Sequence, residues 1–492
     1  MFKPKRLHPI AAVSNVLQEL KNLIFPLVLV FFVNNKEKVD VWDYLPMIGM
    51  GVLILFLLIS GVVKWIRFTY WVEESELRIE HGLFVKKKRY IPIERIQSID
   101  VSEGLLQQMF SLVKVKIETA GSSDPMKSEA ELTAITKEEA DALKEMISRE
   151  KNRFSEEMEQ MDGNEEAKET ATVIYKAKLS ELLLLAATSG GIGVVISAVI
   201  AFLSQFDELI PYEKVFLEVS RFIEYGVIIV SLVVFIILCI AWIISVVLTL
   251  LKYHDFTLEM NDEHLVIRRG LLEKRQIMLP FSRIQGMTIV ENPLRQIAGY
   301  CSVQLESAGG ADPSERGASN VMLPMIKKES ALTLLKEVFP DYSFPKEFHS
   351  VPKKAMRRYI FRKIYYVIIP VVGISWYLWP SGLWSFVLLL LAAVYGISCY
   401  RSAGWIVIDD QLTIRYRRLD RCTVMMKKSH IQSVELTQAP WQKKKGLASF
   451  SAVIKSGAAG KKAKVIDASL TDASCVYRWY EREDQHEMQV KQ

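Results

Sequence analysis

"RIQSIDVSEGLLQQMFSLVKVKIETAG" at 95–121 and "RIQGMTIVENPLRQIAGYCSVQLESAGG" at 283–310 are two copies of one text. A shift of 188 residues lays Arg95-Ile96-Gln97 on Arg283-Ile284-Gln285. The same shift lays Leu77 on Leu265, Gly82-Leu83 on Gly270-Leu271, Pro92 on Pro280 and Asp124-Pro125 on Asp312-Pro313. So long a match without a gap marks an internal repeat, and each repeat is one structural unit. A third copy follows at a shift of 147, with Leu412 on Leu265, Ile431-Gln432 on Ile284-Gln285 and Pro440 on Pro293. It has diverged most. His430 stands where the others have Arg, Arg417 stands where Gly270 would be, and a short insertion precedes "IKSG" at 454–457.

Each copy reads as β structure. "ELRIEHG" and "HLVIRRG" alternate apolar and polar residues up to a turn glycine, and "VKVKIETAG" alternates as cleanly. Each copy then closes with a helical pattern. In the first, Thr136 and Glu139 have the spacing of a capping box. Several antiparallel strands and one terminal helix predict a small curled sheet with a capped end.

The rest of the chain is apolar. Half of its 492 residues are hydrophobic, and the mean hydropathy is +0.17, so membrane spans are expected. Gly226–Leu251 is a charge-free run long enough to cross a bilayer as one helix. Leu182–Ser204 and Pro46–Val63 are further spans, and Asn22–Asn35 is the weakest, interrupted by Pro26. Ile364–Tyr400 is too long for one helix and is broken by "PSG" at 380–382, which predicts two spans and a tight turn. A re-entrant loop is the alternative there. The expectation is six spans in three hairpins. Gly190, Gly191 and Gly193 offer a smooth face for close helix packing.

Lys and Arg flank the same side of every hairpin: Lys3, Lys5 and Arg6 before the first, Lys64 and Arg67 after it, Lys252 after the second, Arg362 and Lys363 before the third and Arg401 after it. The loop near 205–225 is acidic instead. This distribution puts both termini and all three β modules in the cytoplasm. The cysteines at 239, 301, 399, 422 and 475 have no paired spacing, which argues against disulfide frameworks and structural zinc.

With its Arg-Ile-Gln start, its Leu-x-Gln or Leu-Arg-Gln turn and its strand ending in Thr/Ser-Ala-Gly, the chain resembles the bacterial pleckstrin-homology-like (PH-like) membrane proteins, of the long three-module YdbT type. The resemblance implies a partly open β-barrel capped by a helix, a plasma-membrane location and a shorter relative alongside; it implies no established activity. It divides the chain into a first hairpin (1–67), module one (68–150), an acidic linker (151–172), a second hairpin (173–252), module two (253–340), a linker (341–363), a third hairpin (364–400) and module three (401–484).

Candidate sites are few. Ile96, Ile284 and Ile431 are expected to point into the sheet core, turning their neighbours outward. Gln97, Gln285 and Gln432 either satisfy backbone groups at the adjoining turn or contact a ligand or partner. Arg95 and Arg283 are placed to pair with a carboxylate such as Glu118 or Glu306, or to meet lipid phosphate; His430 holds that position in the third copy. Lys86, Lys87, Lys88 and Arg89, then Arg415, Arg417 and Arg418, then Lys443, Lys444 and Lys445 are candidate contacts to anionic lipid. The solvated-surface reading has equal weight.

No phosphate-binding loop, dinucleotide fingerprint or zinc-protease motif occurs, so no enzyme, metal or cofactor is expected. Basic and aromatic residues do not interleave as nucleic-acid binding would need. Two functions stay open: a scaffold or sensor in the cell envelope, assembling with itself or a smaller PH-like protein by strand addition, and a lipid- or amphiphile-handling protein with the helices as conduit.

Overall fold

A computed structural model describes residues 4–17, 45–119, 130–158, 172–199, 227–261, 264–307, 321–457 and 460–481, scattered single positions aside. Asn22–Asn35, the acidic stretch 159–171 and the loop before 227 lie outside them. The chain forms two compact units, Met1–Met278 and Leu279–Gln492.

In the first unit, β1 (Lys5–Arg6), β2 (Thr69–Glu73), β3 (Glu76–His81) and β4 (Lys87–Pro92) form an antiparallel sheet in that order. A 3₁₀ turn, Ile93–Arg95, swings the chain into β5 (Ile96–Glu103), followed by β6 (Leu112–Thr119) and β7 (Ala130–Thr136). The helix α1 (Lys137–Met158) closes the module, running into the segment assigned to the linker. It is capped as Thr136 and Glu139 predict: the Glu139 N–H donates to Thr136 Oγ1 at 3.2 Å, and the Thr136 N–H to Glu139 Oε2 at 3.4 Å. Between the two sheets and the helix lies one apolar core that includes Leu77, Ile91, Ile96, Ile117, Leu132 and Leu143. Alternation produces it, since every second residue of β3 and β6 is buried.

Beyond module one, the expectation of separate barrels fails. Among the described residues no sheet closes on itself. The strands β8 (Thr172–Lys176), β9 (Thr257–Met260), β10 (His264–Arg269) and β11 (Lys274–Pro280) join the second sheet of module one, giving the seven-stranded order β7-β6-β5-β11-β10-β9-β8. The second unit repeats the device. Here β12 (Ile284–Glu291), β13 (Tyr300–Ser307) and β14 (Val321–Lys327) share a sheet with β15 (His349–Ser350), β16 (Gly404–Ile408), β17 (Gln411–Arg417) and β18 (Arg421–Lys427), ordered β14-β13-β12-β18-β17-β16-β15. A three-stranded sheet of β19 (Ile431–Thr437), β20 (Leu447–Ile454) and β21 (Lys461–Ser469) completes module three. An isolated edge strand leaves backbone N–H and C=O groups unpaired; here the edge of one module is satisfied by the next.

Three helices among the described residues are long and apolar enough to cross a membrane: Ser231–Tyr253, Lys353–Tyr377 and Ser381–Ser402. Gly51–Ile66 and Leu179–Thr188 are apolar but shorter. Among the described residues, three of the six expected spans are therefore long enough to cross, and Asn22–Asn35 lies outside those residues. Leu179–Thr188 stops where Ser189-Gly190-Gly191 begins, glycine being about 1 kcal/mol worse than alanine inside a helix. At 364–400 the chain makes a full hairpin: Lys353–Tyr377 packs against Phe386–Ser402, and Gly396 lies so close that a β-carbon there would sit 2.8 Å from Ile360 Cα. Asp467, fully buried, fastens this hairpin to module three by ion pairs to Arg358 at 3.1 Å and Arg362 at 2.6 Å.

Candidate assembly site at the module junctions

The repeated triplet occupies one structural position three times. Ile96, Ile284 and Ile431 each begin the strand after a 3₁₀ turn and are buried. In every copy the register slips at the next residue: between Ile96 and Ser98, between Ile284 and Gly286, and between Ile431 and Ser433. Gln97, Gln285 and Gln432 are thus the extra residue of a β-bulge. A bulge bends and twists its strand, which starts the curl of β5, β12 and β19. Periodicity cannot show this, because a bulge breaks the alternation that reveals strands.

The bulged strand is also the one that receives the next module. At the first junction β5 pairs with β11, Glu103 opposite Lys274 and Asp100 opposite Ile277. At the second, β12 pairs with β18, Glu291 opposite Arg421 and Gly286 opposite Met426. Under the two repeat shifts Glu103 falls on Glu291 and Lys274 on Arg421, so both junctions have one register.

The second junction has the more buried charges. Glu291 accepts from Arg421 at 2.7 and 2.6 Å through both guanidinium arms and meets Lys328 Nζ at 3.3 Å, with its side chain 3% exposed. Burial pushes that carboxyl up, but the hydrogen bonds and charge of Arg421, with Lys328, outweigh it and hold the group below its usual range. At the first junction Glu103 pairs with Lys137 at 2.9 Å, and Lys137 and Lys328 each open the closing helix of their module. A side-chain amide adds a third contact. Gln108 Nε2 donates to the carbonyls of Leu271 and Leu272 at 3.2 and 3.0 Å, in the turn before β11. Its repeat, Gln296, accepts from Arg417 before β18. This glutamine belongs to the Leu-x-Gln turn, whose purpose the sequence did not disclose.

The bacterial PH domain family matches the chain three times, over residues 23–151, 194–340 and 364–484. The chain belongs to the bacterial PH domain family. It is 37% identical to the UPF0699 transmembrane protein YdbT of Bacillus subtilis (strain 168) over 493 residues, covering 98% of this chain and 99% of that protein. The UPF0699 transmembrane protein YdbS of the same organism is 34% identical over 91 residues, 18% of this chain and 54% of that protein. The chain is accordingly a transmembrane protein carrying bacterial PH domains.

Against these PH modules the other candidate residues separate. Gln285 donates to the carbonyl of its own turn residue, Arg283, at 3.4 Å, and its backbone carbonyl accepts from His430 Nδ1 at 3.2 Å. Residue 430 of module three therefore touches the bulge of module two. Gln432 is exposed, Arg95 is exposed and Arg283 is buried. Glu306 is taken by Thr288 at 2.8 Å, Ser456 at 2.5 Å and Lys461 at 3.1 Å.

The basic clusters do not share one surface. Arg415 and Arg417 do not stand free for lipid. Both turn into the base of Phe386–Ser402, Arg415 Nε donating to the Ser402 carbonyl at 3.1 Å and Arg417 Nε to Ser402 Oγ at 3.0 Å, while Arg415 also lies over the Phe348 ring. Burial lowers the Arg415 pKa. Arg418, Lys443, Lys444 and Lys445 are exposed. Lys86, Lys87, Lys88 and Arg89 are exposed along β4, where Lys86 and Lys88 reach Glu80 at 2.6 and 3.1 Å. Of the three glycines, only Gly191 meets another helix: a β-carbon there would overlap Ser245 Oγ, whereas Gly190 and Gly193 have nothing within 4 Å.

Proposed function

We propose that this is a non-enzymatic, multi-pass plasma-membrane scaffold. Its PH modules pair strands with one another on the cytoplasmic face, with both termini on that side, and the protein assembles with itself or with a smaller PH-like membrane protein in the cell envelope. The observation that carries this reading is the repeated junction, β5 with β11 and β12 with β18 in one register. A module built to hand its free edge to the next is built for assembly, since edge pairing supplies backbone hydrogen bonds whatever the side chains, and the side chains then select the partner. The orientation rests on the Lys and Arg residues that border the spans, such as Lys252 and Arg401.

Native mass spectrometry of the full chain, extracted in membrane nanodiscs with and without a co-expressed YdbS-type relative, tests it. Species larger than one chain are expected. A single chain under both conditions would sink the scaffold reading.

A further inference from the structure

Building on the scaffold reading, we infer that the outer edge of β4 is the docking strand for a separate chain carrying a PH module, and that it accepts a β5-type strand with a carboxylate opposite Lys86. The β19 edge is closed to this pairing.

Two strand edges of junction type have no strand beside them among the described residues. β4 stands in module one where β11 and β18 stand in the other two, at the border of its sheet; β19 stands where β5 and β12 stand, at the border of its own. Their side chains differ in a telling way. On the β19 side every junction residue has changed. Gln438 replaces Glu103 and Glu291, Leu470 replaces Lys137 and Lys328, and Lys443 replaces Gln108 and Gln296. The strand pairings confirm the second of these equivalences, because Thr136, Lys327 and Ser469, the residues just before these three, hold the same place opposite Leu112, Tyr300 and Leu447. On the β4 side the junction cation is kept: Lys86 falls on Lys274 and Arg421.

Charge then chooses the occupant. Lys86, Lys87, Lys88 and Arg89 line the β4 edge and are exposed, with the single carboxylate of Glu80 shared between Lys86 and Lys88. Lysines on an edge strand discourage indiscriminate pairing, so this edge admits a strand that brings negative charge. The β19 edge of a second copy does not bring it. Its carboxylate, Glu435, is already held by Lys462 at 2.7 Å, with Lys464 adding to the field that pulls it below its usual range, and Lys443, Lys444 and Lys445 follow. Cation would face cation, a juxtaposition that costs affinity and rejects the partner. The occupant is therefore a PH module from another protein. YdbS has a suitable size, as its 91 matching residues are 54% of its length.

The test places the photocrosslinker p-benzoylphenylalanine at Lys87 in the full chain, expressed in bacterial membranes with epitope-tagged YdbS. The expected adduct joins the two proteins and falls at least fivefold with Lys86→Glu. No adduct should join two copies of this chain until Gln438→Glu, Leu470→Lys and Lys443→Gln together restore the junction residues on β19. Adducts between unaltered copies would overturn the assignment of the occupant, and so would the absence of a YdbS adduct from correctly inserted protein. The nanodisc measurement separates the two failures: assembled species without a β4 adduct leave the scaffold standing, and single chains throughout remove both.

Discussion

Replacing Arg421 by alanine strips the second junction of its bidentate partner. Glu291 would keep its charge, with its side chain 3% exposed and only Lys328, at 3.3 Å and itself 43% exposed, to offset it. Breaking a buried pair from one side costs about 3–5 kcal/mol, because the remaining charge stays out of water. Lys328 moderates the loss, which sets the expectation near the lower end, about 3 kcal/mol. For a cooperative unit of about 150–250 residues, 1 kcal/mol moves the unfolding midpoint by about 2–4 °C, so Tm should fall by roughly 6–12 °C.

Tryptophan fluorescence during thermal unfolding in detergent micelles reads this directly. Lys462→Ala is the control, because Lys462 and Glu435 are half exposed and water screens such a pair. The difference also depends on pH. The folded-state pKa of Glu291 is depressed, so its contribution is complete above the unfolded glutamate value of about 4.3 and is lost as pH falls through the lower folded value. In Arg421→Ala the buried carboxyl gains by taking a proton, so the gap between the two proteins should narrow as the medium is acidified toward pH 4. A shift no larger than that of Lys462→Ala, or a gap that widens in acid, would refute the junction as a buried-charge clamp.

Gly286→Val should disrupt the same junction sterically, since a β-carbon there sits 2.6 Å from the Met425 carbonyl oxygen; a loss above about 2 kcal/mol is expected from forcing backbone apart, read as faster trypsin cleavage between β12 and β18. Deleting Gln432 removes the bulge that bends β19 and leaves Ser433 opposite Val453 in an unbroken ladder, so module three should lose its curl and become more protease-sensitive while the first unit keeps its resistance. Gly396→Leu should force the helices of the third hairpin apart, since a β-carbon there would sit 2.8 Å from Ile360 Cα, and should lower the unfolding midpoint more than Gly373→Leu, whose position has nothing within 4 Å. Cys475 is exposed, whereas burial pushes the Cys301 thiol up to about 12; a membrane-impermeant maleimide should label Cys475 in inside-out vesicles, leave Cys301 unmodified, and spare both in intact cells.

The repeat, its strands and the apolar helices were legible because each leaves a periodic trace: two residues for a half-buried strand, a long uncharged run for a span, a constant offset for a copied module. Ile96, Ile284 and Ile431 were expected to point into the sheet core, and they are buried there. The purpose of the triplet could not be read. What Gln97, Gln285 and Gln432 share is an extra residue of backbone, which no side-chain type betrays. The sharing of sheets was equally hidden. Whether β5 ends a barrel or accepts β11 is decided by backbone N–H and C=O groups, which every sequence carries alike. Only after the pairing is known do Glu103 and Glu291, Lys137 and Lys328, and Gln108 and Gln296 read as one device, and their replacement by Gln438, Leu470 and Lys443 as its removal. The amino-acid sequence by itself determined the modules and their spacing. Which edges meet is a matter of distance across hundreds of residues, and the tertiary structure alone decided it.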